Sequence, residues 1–91
     1  MRYVLLGKIA PDWIRKNERF TKSKEKLEKL GLKLESVNYT LGPYDFVDVV
    51  STADPQAVTS FSAWYAAQGY GSITTLPAIT PEEFQRAIEK I

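Results

Sequence analysis

Apolar and polar residues along this chain recur with two different periods, and the order of those periods predicts the fold. Tyr3, Val4, Leu5 and Leu6 are consecutive and apolar, which predicts a strand over Arg2 to Ile9 that is covered on both faces. Ala10-Pro11-Asp12 ends it. Asp12 to Leu30 then predicts a helix with a break near Asn17. Its clearest part is Phe20 to Leu30, where Phe20, Leu27 and Leu30 share a face and lysines and glutamates fill the others. Gly31 suits the position just past the helix end. Leu32 to Leu41 alternates as an edge strand does, with Leu32, Leu34 and Ser36 on one side and Lys33, Glu35 and Val37 on the other. Tyr44 to Ser51 predicts the next strand, apolar on both faces through Phe46, Val47, Val49 and Val50, with Asp48 the exception.

Asp54-Pro55 is a helix start, with Asp at the N-cap and Pro in the first turn. Ala57, Val58, Phe61, Trp64 and Tyr65 follow with helical spacing, and Gly69 stops the helix. Gly71 to Pro77 predicts a short strand. Thr80-Pro81-Glu82-Glu83 reads as a capping box that opens a last helix carrying Phe84, Ala87, Ile88 and Ile91. The order βαββαβ plus a terminal helix predicts an α+β, ferredoxin-like layer with an antiparallel sheet in the order 4-1-3-2. That order centres the two strands that are apolar on both faces. The two main helices cover one face of such a sheet. The apolar residues on the other face need a second cover, and a second copy of the same sheet supplies it. The expected state is a homo-oligomer, a dimer or an assembly of dimers.

The chain has 91 residues, which makes residues 1–91 a single domain with a modest core. At 44% hydrophobic and 25% charged it is globular rather than disordered. The net charge of +1 gives no basic excess for a nucleic-acid partner. There is neither cysteine nor histidine. Disulfides, thiolate and imidazole metal sites, Ser-His-Asp triads, histidine bases and His- or Cys-ligated haem are therefore excluded within one chain. Acidic residues show no ligand spacing for a hard cation, and no cofactor is expected. The opening MRYVLLGKIAP lacks a secretion pattern, and no run approaches the length of a membrane span, so the expected setting is cytoplasmic.

The central turn with its flanks, Tyr39-Thr40-Leu41-Gly42-Pro43-Tyr44-Asp45-Phe46-Val47, resembles the GYD-domain family, whose signature is glycine-x-tyrosine-aspartate. Tyr3 to Leu6 with Pro11, Leu30-Gly31, and Leu76 to Phe84 extend the resemblance over nearly the whole chain. It implies a dimeric α+β barrel, in which two ferredoxin-like sheets face each other, in a small and mostly prokaryotic family of undefined function. Tyr70 to Thr75 departs from it, since relatives tend to carry a charged strand there. A looser similarity is to the effector-binding domain of the leucine-responsive regulators, which implies a free-standing ligand-binding module.

The candidate ligand-binding residues are Tyr44, Asp45, Asp48, Asn38 and Trp13. Gly42 and Pro43 are backbone devices that shape the turn. Tyr44 offers a ring and a hydroxyl, either to a ligand or to a neighbouring strand or subunit. Asp45 either accepts from a ligand amine or caps the turn's own amides. Asp48, between apolar neighbours, must meet a cation such as Arg2 or Lys8, or face a wet cavity with a raised pKa. Trp64 and Tyr65 read as core. The function expected is small-molecule binding with the pocket near Gly42–Asp45. The alternatives are a cofactor-independent oxygenase of the dimeric barrel type, using Tyr and Asn, and a structural assembly module.

Overall fold

A computed structural model describes residues 1–91. Strand β1 runs over Arg2–Ile9, and a 3₁₀ turn at Pro11–Trp13 follows it. The remaining elements are helix α1 (Glu18–Lys29), strands β2 (Lys33–Tyr39) and β3 (Phe46–Ser51), helix α2 (Pro55–Ala67), strand β4 (Gly71–Ala78) and helix α3 (Pro81–Ile88). The sheet order is β2-β3-β1-β4, every neighbouring pair is antiparallel, and the two centre strands are those with apolar residues on both faces. This is the ferredoxin-like α+β arrangement that the periodicity predicts.

Period-two alternation divides the sheet into a helix-covered face and an open face. Tyr3 and Leu5 of β1 and Phe46 and Val50 of β3 point under α1 and α2 and are buried. They join Leu27, Leu32, Ala57, Val58 and Phe61 in the core. Each such side chain removed from water stabilises the fold by about 1.5–3 kcal/mol. Val4, Leu6, Val47 and Val49 lie on the other face and stay half-buried, with no element of the chain across them. The helix ends follow local chemistry. Past α1 the Leu32 amide returns to the Leu27 carbonyl (2.9 Å) and the Gly31 amide to Glu28 (3.0 Å), the Schellman pattern. The Asp54 side chain accepts from the Gln56 amide at 3.0 Å at the start of α2, and the Thr80–Glu83 capping box opens α3.

Three expectations are corrected. The break expected near Asn17 is present, but the segment before it is not helix beyond a three-residue 3₁₀ turn at Pro11–Trp13, and α1 begins at Glu18. The alternation of β2 does not hold past Leu34. A register shift between Leu34 and Ser36 sends Val37 and Tyr39 to the helix face, and Ser36 and Asn38 to the open face. The buried stripe of α1 is Arg19, Ser23 and Leu27 rather than Phe20, Leu27 and Leu30, since Phe20 and Leu30 are only half-buried. Helix α3 packs substantially against no other element, and Phe84, Ile88 and Ile91 are exposed.

Candidate functional site

The turn Thr40–Asp45 folds over the end of β1. Gly42 sits at φ +115°, a conformation that L side chains rarely adopt. The Thr40 hydroxyl donates to the Tyr44 carbonyl at 2.7 Å, and the Thr40 amide to the Asp45 carbonyl at 2.9 Å. Asp45 does not cap the amides of its own turn. Its Oδ2 accepts from the Ile9 amide at 2.7 Å, and its own amide donates to the Gly7 carbonyl at 2.7 Å. The carboxylate thus ties the turn to the neighbouring strand and satisfies an amide at the strand end.

The first turn of α1 projects Arg19 beneath the helix layer, where α1, α2 and the ends of β2 and β3 meet. Arg19 is only 6% exposed. Its guanidinium carbon lies 5.5 Å from the centre of the Phe46 ring. Nη2 donates to the Tyr39 hydroxyl at 3.2 Å and Nη1 to the Tyr65 hydroxyl at 3.5 Å. Nε is buried and has no partner. The Tyr65 hydroxyl donates onward to the Lys8 carbonyl at 3.4 Å. Burial pushes the Tyr65 hydroxyl above its ordinary pKa, with Arg19 pulling the other way.

Asp48 shares this face of the sheet, opposite Leu5 on one side and Val37 on the other. Its cation is not Arg2 or Lys8. Arg2 pairs with Glu35 at 3.5 Å, Lys8 is exposed, and the charge that acts on Asp48 is that of Arg19. No salt bridge within 4.0 Å joins Asp48 to Arg19, and Oδ1 is buried without a partner. Burial therefore raises this carboxyl from 3.8 to about 7, against the pull of Arg19.

Between the 3₁₀ turn, the start of α1 and the Thr40–Asp45 turn lies an open cleft of about 440 Å³. Trp13, Lys16, Arg19, Tyr39 and Asp45 are among its walls, with Ile9, Ile14 and Leu41 as apolar cover. Trp13 stands edge-on to Tyr70, with ring centres 4.6 Å apart, and Lys16 lies 4.8 Å from the Trp13 ring centre. The structure brings Trp13 and Asp45 together at this cleft, and sets Asp48 on the same face of the sheet beside Arg19. It separates Asn38, which is exposed on the open face, and Tyr44, which is half-buried and lines no part of the cleft. Arg19 and Tyr39 are not among the five candidate ligand-binding residues that the sequence offers. Arg19 and Ser23 at i and i+4 ahead of Leu27 form a signal that could have marked a buried arginine. No three metal-ligating side chains converge, and no helix is long and apolar enough to cross a membrane.

This arrangement of four antiparallel strands under two helices, with a cleft at one sheet end, defines a ferredoxin-like α+β domain. Residues 3–88 match the model of the GYD domain, and the chain belongs to that family. None of the curated proteins compared with the chain matches it. Among solved structures the chain is similar to 5-chloro-2-hydroxyhydroquinone dehydrochlorinase (TftG) from Burkholderia phenoliruptrix AC1100, in complex with 2,5-dihydroxybenzoquinone. The TM-score is 0.63 at 14% identity, over 91% of this chain and 98% of that one, a likeness of fold.

Proposed function

We propose that this protein is a small-molecule-binding domain that works as a homodimer and holds its ligand in the cleft beside the Gly42–Asp45 turn. The observation that carries this reading is the cleft itself. Its volume falls in the range of small-molecule sites, about 300–1,000 Å³, and it joins an apolar and aromatic wall to a few polar groups. The complex of TftG with a dihydroxybenzoquinone supports a small planar ligand on this fold. The open sheet face supports the dimer. Val4, Leu6, Val47 and Val49 lie there without a cover of their own, and the apolar side of α3 is equally free to seat on a second copy.

Amide NMR titrations with hydroquinone, benzamide and benzoate test the cleft. Shifts concentrated at Trp13, Tyr39 and Asp45 are expected. Shifts confined to the open face, or none with any compound, would refute it. A second reading is a cofactor-independent oxygenase acting on quinol-like substrates. It draws on Asp48, since a buried carboxyl near neutrality can move a proton. Oxygen uptake with hydroquinone that disappears in Asp48→Asn would favour it.

A further inference from the structure

We propose that Arg19 is the anion anchor of this cleft and that the ligand is a small aromatic carboxylate. The inference rests on the cleft reading above and names its ligand class. A guanidinium that is 6% exposed would ordinarily be matched by a carboxylate, because a buried unpaired charge is costly. Arg19 has none within 4.0 Å. Its terminal nitrogens meet only phenol oxygens, at 3.2 and 3.5 Å, longer than charge-assisted bonds of about 2.7–2.9 Å, and Nε meets nothing.

The cleft concentrates positive charge around that group. Arg15 and Lys16 line it along with Arg19. The one carboxylate on its wall, Asp45, is engaged with the Ile9 amide. Tyr39 adds a directed donor. Its hydroxyl accepts from Arg19 and donates to no group of the protein, which leaves its O–H free to donate to a ligand oxygen. A planar carboxylate fits a planar guanidinium and a phenolic hydroxyl side by side. The Trp13 ring with Ile9 and Ile14 then offers apolar contact to an aryl ring. A phosphate dianion would lose more hydration against the same wall, which favours the singly charged acid.

Calorimetric titration with benzoate, benzamide, phenyl phosphate and hydroquinone, on the wild type and on variants, tests this. Benzoate is expected to bind at least about tenfold more tightly than benzamide, and Arg19→Gln is expected to erase that preference. Tyr39 is 59% exposed, so Tyr39→Phe can lose its hydroxyl without unfolding the chain; benzoate affinity should fall about three- to tenfold. Should Arg19→Gln fail to fold, Tyr39→Phe and the ligand series in the wild type still decide the matter. Equal affinity for benzoate and benzamide would overturn the anion assignment while leaving the cleft as a binding site. Preference for phenyl phosphate over benzoate would overturn the carboxylate. Failure of all four compounds to bind would overturn the cleft reading and this one with it.

Discussion

Phe46 lies over Gly7 on the adjacent strand, and its ring fills the space in which a Cβ at Gly7 would sit. The Arg19 guanidinium carbon lies over the same ring, 5.5 Å from its centre. Phe46 thus contacts both Gly7 and Arg19, and the ring position that the buried cation packs against depends on the missing side chain at Gly7. Gly7→Ala should displace the ring and destabilise the fold by about 1–3 kcal/mol, the usual cost of overpacking. Urea denaturation measures it. An unchanged midpoint would show that the ring tilts away freely.

Asp48 gives stability a pH dependence of defined sign. Its folded pKa of about 7 exceeds the ordinary 3.8, so the folded state holds the proton more tightly than the unfolded chain does. Its contribution is most favourable below about pH 4, falls as pH rises, and levels off above about pH 7. Asp48→Asn should therefore leave the melting temperature little changed at pH 4 and raise stability by about 1–3 kcal/mol at pH 8, after allowance for solvent screening. Melting curves of both proteins across that range check it. A difference that does not grow with pH would mean that the carboxyl is ionised without penalty.

Asp45 is a fastening of the turn. Asp45→Ala leaves the Ile9 amide without its acceptor and should cost about 1–3 kcal/mol. Hydrogen exchange at Ile9 reports the loss directly, because protection there should fall more than at Leu5 in the strand centre. Equal protection in the variant would show that another acceptor takes over.

The proposed dimer makes its own prediction. Leu6→Glu on the open face, or Phe84→Glu on the exposed side of α3, should convert a dimer to a monomer by light scattering, with helix content retained. Wild-type protein running as a monomer at micromolar concentration would refute the pairing.

The capping box of α3 separates local from global stability. Thr80→Ala removes the acceptor of the Glu83 amide and should weaken α3 by about 0.5–2 kcal/mol. Because α3 packs substantially against no other element of its own chain, the loss should show as faster exchange along Pro81–Ile88 while the sheet melts as before. A fall in the global transition would place α3 within the cooperative unit.

Much of the fold is legible in the residues one by one. The runs around Leu5 and Val47, the caps at Asp54 and Thr80, and the glycines after the first two helices each act over a few residues, and local patterns report them. What misleads at short range is the Leu34–Ser36 shift, which inverts the pattern of β2 and carries Tyr39 to the side of Arg19. The site is less legible. Asp45 stands in the turn that the sequence singles out, yet its partner is Ile9, 36 positions away, and Asp48 feels the charge of Arg19, a residue on another element, without pairing with it.

The sequence by itself determined the order of elements, the identity of the central strands and the absence of thiol and imidazole chemistry, because periodicity and composition are properties of neighbours and of the inventory. Only the tertiary structure decided that Arg19 and Tyr65, both buried, meet the exposed Tyr39 and the half-buried Asp48 at one corner of the sheet. Each comes from a different element, and burial and charge pairing are settled by packing between elements rather than by position along the chain.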